Sequence, residues 1–385
     1  MASGQEVLVV DLGSSWCKAA LIDATGRVNG TGEEWVREER IFGHDAAALE
    51  RIWRAVRLSI ARALESRSGD PLAAIAIATR KAPGIWLDGA GEPIGLEPEV
   101  AARVGREEID ACYASHFWRD EDPFAYGYGI DLIGNTRWLW RNRPHEWSRI
   151  HRAGTLQSWL LDRLTGRWAT SHAGGPVQDH WPDIVWELSG LHAAAYPEVV
   201  EDTATIGPLL DEAARELGLP AGTPVITGTH DGAAASIGAG AIEPGDACLT
   251  LGTNGVLRLV NGPRLPRRFG YAITGGRWAL VRDLPNLSRL LDRVVSAIDG
   301  RDEPVPPARH EELAAQAATV PVGAEGLRLR LFPDSSGVSA EEALARSFPA
   351  ATIYRAALEA VGLGFAGLVK QARLAGAEPR RFVAT

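Results

Sequence analysis

Residues 224–260 read PVITGTHDGAAASIGAGAIEPGDACLTLGTNGVLRLV, and the fold of the chain turns on how this stretch is parsed. The apolar run Pro224 to Thr227 predicts a strand, Gly228-Thr229-His230-Asp231-Gly232 a turn, and Ala233 to Gly238 a small-residue helix. Such a turn sets Asp231 at a helix N-terminus among glycines, where another group's backbone can approach its carboxylate. Two readings of Asp231 stand: a helix cap, which aspartate serves well, and a catalytic base facing a cleft. After the polar break Glu243-Pro244-Gly245-Asp246, strands from Ala247 to Leu251 and from Val256 to Val260 flank Gly252-Thr253-Asn254-Gly255. Asn-Gly between apolar runs signals a hairpin. A tip of Gly, Thr and Asn also offers N–H groups and a hydroxyl to a phosphate chain without bulk.

The same shape occurs at the N-terminus, where VLVVD (Val7 to Asp11) runs into Leu12-Gly13-Ser14-Ser15 and a second strand follows from Trp16 to Asp23. Leu12 to Ser15 and Leu251 to Asn254 are two copies of Leu-Gly-hydroxyl-polar, and an internal echo of this kind suggests a duplicated unit. Two such tips facing one another would grip a nucleotide from both sides.

Asp11-Leu12-Gly13-Ser14-Ser15 with Lys18, the Gly228 to Gly232 turn with Asp231, and Gly252-Thr253-Asn254 resemble, in order and spacing, the FGGY family of carbohydrate kinases. That family belongs to the sugar kinase, actin and heat-shock ATPase superfamily. Leu164-Thr165-Gly166 resembles the family's Leu-Thr-Gly stretch, and Arg137-Trp138-Leu139-Trp140 a segment that usually begins with Lys. The resemblance implies an α/β chain with two ribonuclease-H-like (actin-like ATPase) domains around a cleft: a sugar-binding domain over 1–240 and a nucleotide-binding domain over 241–385, the second incomplete. It implies ATP and Mg²⁺ as cofactors and a small-molecule carbohydrate as substrate.

Residue by residue, the resemblance makes Asp231 the base that takes a proton from a sugar hydroxyl and gives Asp11 the Mg²⁺. Gly13, Ser14, Ser15, Lys18, Gly252, Thr253 and Asn254 fall to the phosphates, while Arg80, Asp120 and His230 join Asp231 as candidates to touch substrate. For Asp11 the plain alternative is an aspartate that closes a turn with its own backbone.

The sequence also departs from the family. Thr79-Arg80-Lys81-Ala82-Pro83-Gly84 lies at the end of the Leu72 to Ala78 strand, where ligands of open α/β sheets bind, but lacks the family's Gln-Met-His-Gly-like loop. In Trp118-Arg119-Asp120-Glu121-Asp122, Asp122 stands where the family often has an Arg that grips sugar hydroxyls, so Asp120 is open to both a sugar contact and a solvated acidic loop. The family's Gly-Glu-Arg-Thr-Pro-like segment survives only as Pro333-Asp334-Ser335-Ser336-Gly337. Arg380 to Thr385 begins a strand that in the family delivers a Gly-Gly-Gly-like adenosine turn, and here it stops. A truncated kinase is therefore expected, with a non-catalytic sugar- or nucleotide-binding remnant as the rival; xylulose and gluconate are the first sugars to test.

A chain of 385 residues with 45% apolar content has room for two or three ordinary domains. Its net charge of −9, without any Lys/Arg block, argues against nucleic acid or an anionic membrane as partner and leaves a small molecule; a homodimer is a separate expectation, to which the charge does not speak. Cys17, Cys112 and Cys248 lie far apart with no CxxC, which argues against structural zinc, and two of them fall in strands as small hydrophobes. The N-terminus enters a strand without a leader and no apolar run approaches a membrane span, so a cytoplasmic location is expected.

Nine of thirteen tryptophans fall between Trp86 and Trp186, either as sugar platforms or as packing. Periodicity predicts helices over Asp45 to Ser66, Leu209 to Gly218, Ser288 to Ile298 and Thr352 to Ala375, a weak third strand before Gly30, and a strand over Leu327 to Phe332. Gly362, Gly364 and Gly367 in the last helix suggest close packing.

Overall fold

The computed structural model describes residues 5–13, 15–36, 45–65, 72–80, 83–96, 128–173, 181, 184–252, 254–262, 270–301, 305–332 and 335–385. Two compact units are formed: Met1–Gly238 with Pro266–Trp278, and Ala239–Leu265 with Ala279–Thr385.

The first unit is built on a six-stranded sheet of β1 (Glu6–Leu12), β2 (Trp16–Asp23), β3 (Val28–Trp35), β4 (Leu72–Thr79), β9 (Thr205–Pro208) and β10 (Pro224–His230). Its order is β3-β2-β1-β4-β10-β9, with β1 antiparallel to β2 and parallel to β4, which is in turn parallel to β10. Strict alternation in β1 buries Leu8, Val10 and Leu12 on one face and turns Val9 and Asp11 to the other. The weakly predicted third strand is a full eight residues, because Gly30 and Gly32 let it lie directly on helix α1 (Ala46–Leu64). A Cβ on Gly32 would come within 2.0 Å of Ser59 O. Helix α1 begins as its sequence demands, with the Asp45 side chain accepting the N–H of Ala48 at 2.7 Å.

Shorter elements complete this unit: β5 (Pro83–Leu87) pairs with β6 (Arg152–Thr155), and β7 (Ala169–Ser171) with β8 (Glu198–Val200). Helices α2 (Tyr128–Asn142), α3 (Leu156–Thr165), α4 (Ile184–Ser189) and α5 (Asp211–Leu217) pack around them. Leu164-Thr165-Gly166 is the end of α3, closed by Gly166 at φ +73°. The tryptophans here serve mainly as packing: Trp86, Trp159 and Trp181 are buried, while Trp140 and Trp186 keep surface exposure.

The second unit carries β11 (Asp246–Leu251), β12 (Gly255–Asn261), β14 (Trp278–Leu284) and β15 (Arg381–Ala384), neighbours in the order β14-β12-β11-β15. The last strand runs parallel to β11, 135 residues earlier in sequence, and is fastened by a bidentate Arg381–Asp246 pair at 2.8 Å per bond. Helix α6 (Asp231–Gly238) ends the first unit; α7 (Leu287–Asp299), α8 (Pro307–Ala317), α9 (Ala340–Ala345) and α10 (Ala350–Leu374) belong to the second. Helix α10 is long and apolar enough to cross a membrane, contrary to the expectation that no run approaches a span. Yet Ile353, Ala356, Ala357, Ala360, Phe365 and Leu368 bury its apolar side in the core of this unit.

Two sequence expectations change here. Leu327 to Phe332 is not a strand: among the described residues its pairing is a single bridge between Leu329 and Val338, with backbone bonds from Arg330 N to Val338 O and from Val338 N to Arg328 O. Of the three glycines in α10, only Gly364 packs closely, its Cβ position lying 2.8 Å from the Phe332 ring, whereas Gly362 and Gly367 have open space.

Candidate active site

The strand expected to end at Thr227 continues to His230, and its register against β4 slips between Ile226 and Thr229. Gly228 makes the slip possible: it sits at φ +70°, and a Cβ there would lie 1.8 Å from Ile77 O. The bulge brings Thr229 opposite Ala78, which itself lies opposite Asp11, while Asp11 is also opposite Lys18. Lys18, Asp11, Ala78 and Thr229 therefore form one row across the sheet, on the face away from Leu8 and Val10.

Helix α6 starts directly at Asp231. Its side chain is 45% exposed, and Oδ1 accepts the Gly232 N–H at 2.6 Å. The main cap is His230: it is 4% exposed, and Nδ1 accepts the N–H of Gly232 at 2.9 Å and of Ala233 at 3.4 Å. A nitrogen that accepts these N–H groups has its lone pair engaged, so the 3.4 Å separation of Nδ1 and Asp231 Oδ1 is a contact of two acceptors. Tyr271 fixes the imidazole edge to face, with ring centroids 3.9 Å apart. The capping role foreseen for Asp231 thus falls chiefly to His230, leaving the aspartate half-exposed.

Burial pushes the Asp11 carboxyl up to about 6, the nearby Asp231 charge adds to the rise, and Lys18 works against it. Asp11 Oδ1 is buried without a hydrogen-bond partner. A carboxylate oxygen left open in this way suits a cation, so the residue fits the Mg²⁺ implied for it. Among the described residues no set of three or more His, Cys, Asp or Glu side chains could hold a metal, so water and phosphate oxygens would complete the shell. Asp11, Lys18 and Trp16 line an open cavity of about 870 Å³ with Val9, Thr31 and Glu33.

Backbone hydrogen bonds tie the described residues of the two glycine tips. Gly13 donates its N–H to Trp16 O at 3.0 Å, and the Ser15 carbonyl accepts from Val36 N at 2.8 Å. In the second unit Gly252 N reaches Asn254 O at 3.3 Å, and Asn254 Oδ1 accepts the Asn286 N–H at 2.8 Å, ahead of α7. Gly255 is demanded by packing, since a Cβ would meet Leu287 and Phe365 at 3.0 Å. Beside Asn286, the residues Arg289, Arg293, Leu290 and Phe332 line a cavity of about 440 Å³ in a segment that the sequence marks only as the helix from Ser288 to Ile298. Arg80 is 5% exposed and its N–H donates to Leu12 O at 2.8 Å, so a substrate contact from this side chain would start from a buried position. Ser14, Asp120 and Thr253 lie outside the described residues.

Paired α/β units of this kind define the two-domain actin-like ATPase fold. The xylulose kinase of Rhodospirillum rubrum has it, with a TM-score of 0.79 at 22% identity over 98% of this chain and 81% of that one. Residues 133–238 match the N-terminal domain of the FGGY family of carbohydrate kinases. It is similar to the autoinducer-2 kinase of Yersinia enterocolitica, 27% identical over 65% of this chain and 50% of that protein. It is also similar to the L-fuculokinase of Salmonella typhi, 29% identical over 92% of this chain and 78% of that one. The chain spans about half the length of several of the curated relatives it matches.

Proposed function

We propose that this chain supplies the acceptor-side chemistry of an ATP-dependent carbohydrate kinase. The observation that carries the reading is the pairing of Asp231, half-exposed at a helix start, with Asp11, a carboxyl pushed up to about 6 and open at Oδ1. In this reading Asp231 accepts the proton of a sugar hydroxyl as its oxygen attacks the terminal phosphorus of ATP and ADP leaves. Asp11 Oδ1 would hold a hydrated Mg²⁺, and that ion would supply neutralisation of phosphate charge. Lys18 and the Ser15 tip take phosphate oxygens in the first unit, and the Gly252 to Asn254 tip is assigned to nucleotide phosphates in the second. His230, buried and engaged as a cap, orients Asp231 and does not itself exchange protons with the sugar.

The relatives named here act on different small molecules, so the sugar is left to experiment, in a cytoplasmic setting. The test is ATP-dependent phosphorylation of a panel of ketoses, polyols and aldonates, xylulose and gluconate included, with sizing chromatography to detect a homodimer. ADP release that depends on one of these acceptors supports the reading; binding without turnover across the panel returns the chain to the class of non-catalytic binding proteins.

A further inference from the structure

Behind the Asp231 turn lies a buried polar hub that the proposed chemistry does not use. Gln157 on α3 donates from Nε2 to Thr227 O at 3.1 Å, and its Oε1 accepts from Thr170 Oγ1 at 3.0 Å and Ser171 N at 2.9 Å. Thr227 in turn donates its N–H to Ala204 O at 2.9 Å and its hydroxyl to the same oxygen at 3.1 Å. One residue on, Gly228 donates its N–H to Asp202 O at 2.9 Å. The segment from Asp202 to Ala204 is thereby strapped along the bulge of β10, three residues before Asp231.

The Asp202 side chain turns inward over this bulge. Burial pushes its carboxyl up; the Thr229 hydroxyl and the His172 charge act against the rise, and the Glu201 charge adds to it. Among the described residues, Asp202 Oδ2 and Thr229 Oγ1 are both buried with no partner in close hydrogen-bond geometry, so the carboxyl and the hydroxyl answer to one another. A buried carboxyl with an open oxygen is destabilising, and an apolar residue would pack there at lower cost. Groups kept in that condition mark sites where geometry matters more than stability.

We propose that Asp202 is a positioning residue for Asp231: together with Thr229 it holds the Gly228 bulge in register and so aims the Asp231 carboxylate. The inference rests on the reading of Asp231 as the base. The mechanical part does not, because the strap and the bulge exist whatever the reaction. Asp202 touches neither sugar nor phosphate in this scheme; its influence passes through two residues of β10. Burial favours its protonated form, and Asn keeps that form's shape and lack of charge, so Asp202→Asn should preserve the bulge and Asp202→Ala should release it.

Two measurements on the whole 385-residue chain test this. Hydrogen exchange of the amides from Val225 to Ala233 should quicken about tenfold in Asp202→Ala, with α1 unchanged and Asp202→Asn near wild type. In the phosphorylation assay, Asp202→Ala should lower kcat by about 10- to 100-fold with sugar KM within about twofold, while Asp202→Asn recovers most of kcat. Unchanged exchange in Asp202→Ala, or equal quickening in α1, overturns the proposal, as does a loss confined to KM. If wild type phosphorylates no acceptor, the proposed function fails, and the exchange result alone decides whether Asp202 holds the bulge.

Discussion

The Asp231 carboxylate stands close enough to Asp11 for its charge to help hold the Asp11 carboxyl at about 6. A buried acid whose proton affinity is raised by a half-exposed neighbour suits a division of roles between a cation and a proton.

Asp231→Asn should reduce sugar phosphorylation by about 10²- to 10⁴-fold, the usual share of a general base. Removing the negative charge should also lower the Asp11 titration midpoint from its value of about 6. Carbon-detected NMR titration of the Asp11 carboxyl reads the second effect without any turnover. Retention of most of the activity would take Asp231 out of the base role, and an unmoved Asp11 midpoint would show that the two groups are not coupled.

Asp11 and Asp202 both have folded-state pKa values above the ordinary 3.8, at about 6 and about 7, with burial the leading cause in each. The folded chain therefore binds these protons more tightly than the unfolded chain, so their contribution to stability is present at low pH and is lost as pH rises from about 4 to about 7. Asp202→Asn removes part of that loss. Its urea-unfolding free energy at pH 8 should exceed wild type by an amount on the order of 2–4 kcal/mol, with the two proteins converging toward pH 4. Parallel pH dependence of the two proteins would contradict the burial of Asp202.

Gly228→Ala should be severely destabilising, on the order of 2–4 kcal/mol, because the added Cβ meets backbone and the φ is left-handed. The control is Gly218→Ala, at φ +67° with open space around it, where about 1 kcal/mol is expected. Denaturant melts of both variants compare the two directly; equal costs would mean that β10 is not bulged at Gly228.

Asn254→Ala should cost about 1 kcal/mol by freeing the Asn286 N–H ahead of α7. Calorimetric titration with Mg-ATP separates this from a phosphate role. A stability loss with unchanged ATP affinity would make Asn254 a purely structural residue, whereas weakened binding supports its place at the phosphates.

Much of this was legible in the chain itself wherever a feature is closed within a few residues. The β1–β2 hairpin, the Asp45 cap of α1, the Gly218 end of α5 and the hairpin about Gly252 follow from alternation, capping oxygens and glycine placement, all governed by local hydrogen bonds. The ordered set of Asp11, Asp231 and the two glycine tips was equally visible, because each sits at a strand end that its own neighbours specify. Tertiary structure decided the rest. That His230 rather than Asp231 is the main cap depends on Tyr271 and on the extra residue of β10, neither of which periodicity reveals. No local pattern singles out Asp202; its backbone is strapped to Gly228 across the sheet, and burial is what raises its carboxyl. The pairing of β15 with β11, and the return of 266–278 to the first unit, join segments distant in sequence. Such contacts are set by apolar burial and register among distant segments, which no local pattern of residues encodes.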